Sequence, residues 1–380
     1  MASPRDTKER LIQSAVTLFA RKWYGTVSVA EICREAGLSN GVFYRYFAGK
    51  EELFKSILDS IRERAAAALA SVGGADREER LAAFAGTLLR SSALEPELES
   101  VFREGQYRFI EYERELAELY RQGLGRILGA EIGLPAYLFA LGGLRFCAAR
   151  AALQGIPIRE ASALAILRGG LFPGQRARAE LVFAGPVQPL PLPAEEGSAD
   201  CLLRSGKRLF GSKGFFETNI HEITDLAGLS VGAFYTHFAS KEAFYARLIG
   251  LAGREIRRFI SSNLPEGLNR LERELRGLWL FALYLQQDKH CYRLVREAEF
   301  VLPAEVRAYY GSFVEGYRRR PLAAEGLAPG LDETTAIEFL LGVNHHLGIE
   351  TAFSGASGGL RARIEALGPY LAEGLSPYLR

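Results

Sequence analysis

Cysteine is scarce in this 380-residue chain. There are four, Cys33, Cys147, Cys201 and Cys291, far apart and never in a C-x-x-C pair. That spacing argues against a disulfide-stapled secreted module and against a structural zinc site. An excess of one charge is also missing: Lys+Arg 47 against Asp+Glu 45 leaves a formal +2, too little to identify a partner. The most apolar stretch, residues 134–153, is broken by Arg145 and Arg150 and is too polar to read as a membrane span. The first ten residues carry charges where a secretory signal needs an apolar core. P-loop, G-x-S-x-G and H-E-x-x-H motifs are absent. The expectation is a soluble, reduced, cytoplasmic protein that is not an enzyme and needs no cofactor or metal. Apolar residues are plentiful, at 48%, in a chain long enough for two or three domains.

The chain repeats itself. Shifted by 191 residues, Glu31-Ile32 falls on Glu222-Ile223, Ala36-Gly37-Leu38-Ser39 on Ala227-Gly228-Leu229-Ser230, and Lys50-Glu51 on Lys241-Glu242. The window Glu31 to Glu51 holds 13 identities in 21 positions. A period of half the chain means a duplicated domain, not a solenoid. Fainter matches follow: Leu141-Gly142 with Leu341-Gly342, and Gly170-Leu171-Phe172-Pro173 with Gly374-Leu375-Ser376-Pro377. Between the copies lies a proline-rich stretch from Gly185 to Ser198, which favours an extended connector.

Periodicity reads as helix almost throughout. Leu11, Ala15, Leu18 and Phe19 recur at i, i+4, i+7 and i+8. Ser28-Val-Ala-Glu31 and Asn219-Ile-His-Glu222 are capping-box patterns. Each opens a short helix that ends at a glycine, Gly37 or Gly228. Ser39 and Ser230 then cap another short helix. Two short helices joined by a tight Gly-Leu-Ser turn make a helix-turn-helix, whose second helix can enter the DNA major groove.

The pattern Ile32, Ala36-Gly37-Leu38-Ser39, Gly41, Tyr44, Tyr46-Phe47, Lys50-Glu51 and Leu53 resembles the DNA-binding domain of TetR-family transcriptional regulators, and Ile223 to Glu242 resembles it again. The resemblance implies an all-α fold of two TetR-like repeats, each a three-helix head followed by a helical ligand-binding and dimerisation bundle. The expected divisions are residues 1–64 and 65–182, a linker at 183–198, then 199–258 and 259–380. Trp23 departs from the family's usual glycine, which the second copy keeps as Gly214, so the exit from the first helix is expected to be strained or reshaped. Each head carries a small positive excess, with 11 Lys/Arg against 8 Asp/Glu over residues 1–64 and 9 against 6 over 199–258.

DNA contacts are expected from Ser28, Ser39, Asn40, Val42, Tyr44, Arg45, Tyr46 and Lys50, and from Asn219, Ser230, Val231, Ala233, Tyr235, Thr236, His237 and Lys241. Lys50 and Lys241 begin a helix, where an ammonium beside free N–H groups suits a phosphate; a solvated surface lysine is the alternative. Tyr44 and Tyr235 stand where the family uses a side chain on DNA, with core packing as the alternative. Arg45 suits guanine and Thr236 a thymine methyl, so the two heads should read different bases. Glu104, Tyr107, Arg145, Asn344, His345 and His346 are candidates for an effector pocket, although a hydrogen-bonded core role fits the histidines equally. His346 and Glu350 form an i,i+4 pair without a third metal ligand. The implied partners are a double-stranded DNA operator and a small apolar effector, without a membrane. The implied assembly is an intramolecular pseudo-dimer, with a homodimer of chains as the rival. A ligand-sensing or interaction adaptor whose heads no longer bind DNA is the competing function.

Overall fold

The computed structural model describes residues 4–190, 197–353 and 359–379. All regular structure among them is helical. The apolar positions of the first periodic stretch, Leu11, Ala15, Leu18 and Phe19, are buried along one face of α1 (Pro4–Arg21). Next come α2 (Val29–Glu35), α3 (Asn40–Phe43), α4 (Lys50–Ala70), α5 (Arg77–Leu94), α6 (Pro96–Arg108) and α7 (Ile110–Leu128). Then α8 (Leu134–Tyr137) runs through a π-turn, Leu138–Gly142, into α9 (Gly143–Gln154), followed by α10 (Glu160–Gly169) and the short α11 (Ala179–Val182). The series restarts with α12 (Ser198–Lys213), α13 (Ile220–Ala227), α14 (Val231–His237), α15 (Lys241–Ser262), α16 (Arg270–Gln287), α17 (Lys289–Val301) and α18 (Pro303–Arg319), and closes with α19 (Glu333–Phe353), α20 (Leu360–Glu373) and α21 (Ser376–Leu379). Helices α6 and α17 begin and end 193 residues apart, so the duplication reaches past the heads. Residues 134–154 form a stretch long and apolar enough to cross a membrane, and most of it is buried inside the protein.

The chain forms two compact units. The first takes in residues up to Ile132, Leu144–Leu164 and the end from Tyr378. Its apolar cluster runs from the head into the following helices: Leu11, Phe19, Ile32, Phe43 and Phe54 pack with Val101 and Leu116. Burying aromatic and aliphatic side chains of this size stabilises the fold by about 1.5–3 kcal/mol each.

The second unit holds Gly133–Gly143 and Ala165–Pro377, so it mixes segments from both halves of the sequence. Their contacts are reciprocal. Leu171 N–H donates to Leu371 O at 2.7 Å, and Leu375 N–H donates to Leu167 O at 2.7 Å. Gly170 has φ +77°, and a Cβ there would sit 2.4 Å from the backbone of Ala372; a Cβ at Gly374 would sit 2.6 Å from Gly170 N. Phe139 meets Phe339 edge-on at 5.3 Å, and Gly142 lies against His346 and Gly342. Residue i of one copy meets j of the other and the converse, the signature of a two-fold contact, here within one chain. The contacts fall in and beside the fainter sequence matches, which supply Gly142, Gly342, Gly170, Leu171, Gly374 and Leu375.

The start of the connector is tied to the second copy. Gln188 exchanges hydrogen bonds with the Asn263 side chain, and Arg276 donates to the carbonyls of Val182 and Ala184. Residues 191–196 of the expected linker lie outside the described residues.

Candidate nucleic-acid interface and sensor cavity

In both heads the turn between the short helices depends on one glycine in the left-handed region, Gly37 at φ +63° and Gly228 at φ +67°. Capping differs between copies. Asn219 accepts from Glu222 N–H and Glu222 accepts from Asn219 N–H, a complete box. Ser28 accepts from Glu31 N–H at 3.1 Å, but Glu31 turns to Lys22 at 2.5 Å, so the first box is half made. Ser230 caps α14 by accepting from Ala233 N–H, whereas Ser39 occupies the corresponding cap position with no side-chain cap bond. The helix it opens, α3, starts at the position equivalent to the start of α14 but is four residues long against seven, the difference falling at its C-terminal end.

The sequence-derived contact residues of both heads are all exposed or half-buried. Tyr44 is 59% exposed and Tyr235 55%, large apolar rings left in solvent beside the buried Phe43 and Phe234. Asn40 and Arg45 are exposed, Val42 and Tyr46 half-buried; Thr236 and His237 are exposed, Val231 and Ala233 half-buried. Thr236 Oγ1 donates back to Gly232 O at 3.0 Å, which leaves its methyl to meet a partner. His237 Nε2 lies 2.6 Å from Ser198 Oγ. Lys50 Nζ donates to Tyr24 O and Val27 O at 2.7 and 2.6 Å and stands over the Tyr24 ring. These two carbonyls take two of the three donors of the ammonium. Lys241 stands over the Phe215 ring at 4.2 Å. Burial lowers the pKa of both lysines.

Each head is held by a glutamate from the helical body of its own copy. The fully buried Glu104 of α6 accepts from Tyr24 N–H at 2.9 and 3.0 Å. Glu297 of α17, 193 residues on, accepts from Phe215 N–H at 2.8 Å. A second pair of ties runs to the end of the first head helix: Ser100 Oγ donates to Ala20 O, and Arg293 to Ser212 O. The residue before each clamped amide differs. Gly214 has φ +101° and leaves no room for a Cβ, which would come 2.9 Å from Glu297. Trp23 sits in an ordinary extended conformation, φ −56° and ψ 135°, and leads into a 3-10 turn, Tyr24–Thr26. The substitution therefore reshapes the exit without straining it.

The two copies differ most in their cavities. That of the second copy measures about 1150 Å³ and lies among α15, α16, α17, α18 and α19. Asn344 and His345 line it, and His346 does not, being turned toward Gly142. The equivalent space in the first copy is about 130 Å³. Arg145 reaches it and is held by a bidentate ion pair to Glu113, at 2.7 and 2.8 Å, among Phe102 and Tyr120. Burial pushes the Tyr120 phenol up to about 12. Glu104 and Tyr107 do not line either cavity. Sequence reading overlooked the arginines of the large cavity. Their signal was present as pairs or triplets at helix ends, Arg257-Arg258, Arg270-x-x-Arg273 and Arg318-Arg319-Arg320.

Residues 11–57 and 202–248 match a family model described as bacterial regulatory proteins, tetR family. The uncharacterized HTH-type transcriptional regulator YuxN of Bacillus subtilis (strain 168) is 42% identical over 55 residues, 14% of this chain and 19% of that protein. The chain thus spans about a fifth of that relative's length. YdgC of the same organism, an uncharacterized HTH-type transcriptional regulator, is 29% identical over 153 residues, 38% of this chain and 76% of the relative. Among solved structures, the fatty acid degradation regulator FadR from Bacillus halodurans is similar at TM-score 0.43 and 16% identity, over 48% of this chain and 98% of that one.

Proposed function

Starting from a chain that belongs to the tetR family and carries its DNA-binding domain twice, we propose an effector-responsive repressor that binds an asymmetric operator as an intramolecular pseudo-dimer in the cytoplasm. The observation that carries this reading is the pair of helix-turn-helix units, each presenting an exposed tyrosine and a distinct neighbouring polar residue, Tyr44-Arg45 and Tyr235-Thr236. Arginine discriminates guanine by about 1–3 kcal/mol, and threonine offers a methyl for thymine, so the half-sites differ. The reciprocal packing of Phe139 on Phe339, and of Leu167 and Leu171 on Leu375 and Leu371, supports a pseudo-dimer made by one chain. Covalent linkage replaces a bimolecular association with one at high effective concentration.

The second copy is the sensor in this reading. Helix α17 supplies Tyr292, Val295 and Arg296 to the large cavity, and its next residue, Glu297, holds the second head. A ligand that favours a shifted α17 changes the geometry of that clamp. DNA affinity then falls by the ratio of the ligand's affinities for the two states.

The test is selection of bound genomic fragments by the full chain, followed by exchange of the two half-sites in place. Exchange should weaken binding at least tenfold, with a steep salt dependence for the intact operator. Unchanged affinity on exchange refutes unlike readout. Light scattering that shows a dominant species of twice the 41.9 kDa chain mass refutes the single-chain pseudo-dimer.

A further inference from the structure

Seven arginines line the large cavity against two glutamates. Three of them have carboxylates of their own: Arg270 donates to Glu274 and Glu325 at 2.5 and 2.6 Å, Arg296 to Glu299 at 2.6 Å, and Arg319 lies 3.8 Å from Glu315. Arg257 and Arg273 are different. Both are half-buried, and burial lowers the pKa of both, with Arg320 next in effect on Arg273. Arg257 lies on the Phe313 ring at 5.4 Å, and the buried Nε–H of Arg273, like that of Arg270, has no acceptor among the described residues. Glu325 and Glu274 favour charged Arg273 without forming an ion pair to it; a desolvated guanidinium short of a contacting anion is costly, and an anion seated beside it offsets that cost.

Six of the seven arginines come from helix ends, and the seventh, Arg296 of α17, is paired with Glu299. Arg257 and Arg258 come from the last turns of α15, Arg270 and Arg273 from the first of α16, and Arg319 and Arg320 from the close of α18. Farther along α16 the lining turns apolar through Leu278, Phe281 and Leu285, which face Val295 and Leu341. From Arg273 to Leu285 the helix rises about 18 Å at 1.5 Å per residue. An extended zigzag alkyl chain advances about 1.3 Å per C–C bond, so a dozen carbons take up about 14 Å and leave room for a head group.

The first copy serves as an internal comparison. Ala66 and Ala67 stand where the second copy has Arg257 and Arg258, and Arg80, the counterpart of Arg273, donates to Asp76 O at 3.0 Å. Its small cavity is lined by Arg64, Glu95, Glu99 and Arg145, two charges of each sign. An anion has neither the room nor the charge to bind there.

We infer that the second copy alone takes an amphipathic anion, an unbranched apolar chain of roughly a dozen carbons ending in a carboxylate or phosphate head, with the head on Arg257, Arg273 and Arg320 and the chain along α16 toward Leu285. The inference rests on the reading of this cavity as the effector site. Calorimetric titration of the full chain with dodecanoate, dodecyl phosphate, dodecanol and dodecyltrimethylammonium, below their micellar concentrations, tests it. Both anions should bind once per chain and at least tenfold tighter than the alcohol, and the cation should be weaker still. The tighter anion identifies the head as carboxylate or phosphate. Arg273→Gln should lower anion affinity at least tenfold and alcohol affinity less than twofold. Arg320→Gln, at the exposed mouth, should lower anion affinity about threefold without touching the core. Equal binding of alcohol or cation, two anions per chain, or anion affinities indifferent to both substitutions overturns the inference. The same titrations on operator-bound protein separate the two readings. Anions that bind as stated but leave DNA affinity unchanged overturn the effector reading and leave the ligand class standing.

Discussion

Removing the Glu297 carboxylate isolates the link between the helix that lines the large cavity and the second head. Glu297 is 5% exposed, and its Oε2 accepts from Phe215 N–H at 2.8 Å in a buried setting. A hydrogen bond from an amide to a charged acceptor contributes about 1.5–3 kcal/mol, and a buried N–H without an acceptor costs a similar amount. Glu297→Ala should therefore make local opening of the second head easier by about 2 kcal/mol, roughly a 30-fold change at 1.4 kcal/mol per factor of ten. Hydrogen exchange at the Phe215 amide in the full chain reads this directly. Glu297→Gln keeps a neutral acceptor, about half as strong, and should accelerate exchange roughly fivefold. Exchange at Tyr24, clamped by Glu104, should stay within threefold of wild type in both variants. The reasoning is refuted if Phe215 exchange is unchanged in Glu297→Ala, or if acceleration is uniform over the chain, which would report global destabilisation.

Three further outcomes follow from the packing. Gly170→Ala should cost about 2–4 kcal/mol in thermal unfolding, because a left-handed φ and a Cβ 2.4 Å from Ala372 backbone act together; Gly169→Ala, with open space around it, should cost under about 1 kcal/mol. Arg145→Ala removes the bidentate partner of the buried Glu113 and should cost about 3–5 kcal/mol in urea unfolding, whereas Arg90→Ala, which breaks an exposed pair with Glu160, should cost under about 1 kcal/mol. Glu272, whose side chain is fully buried, is held at about 2 by the hydrogen bonds of Arg178, against an ordinary 4.5. Its folded pKa is depressed, so its contribution is complete above pH 4.5 and is lost as pH falls toward 2. Melting of wild type and Glu272→Gln should converge across that window, and parallel curves would contradict it.

The heads were legible because their determinants are local. A glycine with positive φ, a cap, and buried positions at helical spacing lie within fifty residues, and duplication prints each signal twice. The faint pairs Leu141-Gly142 with Leu341-Gly342, and Gly170-Leu171 with Gly374-Leu375, were also visible as likenesses. Nothing in the one-dimensional pattern said that these matched segments face each other. Ser39 shows the limit at shorter range: its residue type suits a cap, yet the side-chain bond is made only by its counterpart Ser230.

What the sequence determined by itself is the all-helical duplication, the two helix-turn-helix units and the side chains they present. Spacing of three to four residues decides a helix, and a repeated motif decides its copies. Only tertiary structure decided that Glu104 and Glu297 grip the heads, that one cavity is about 130 Å³ and the other about 1150 Å³, and which carboxylates the cavity arginines pair with. Those are sums over side chains distant in sequence, where the volume left between helices and the charge left after pairing depend on every neighbour at once. Arg80 and Arg273 occupy equivalent positions, and only the chain folded around each sends one to a backbone carbonyl and leaves the other in an open cavity.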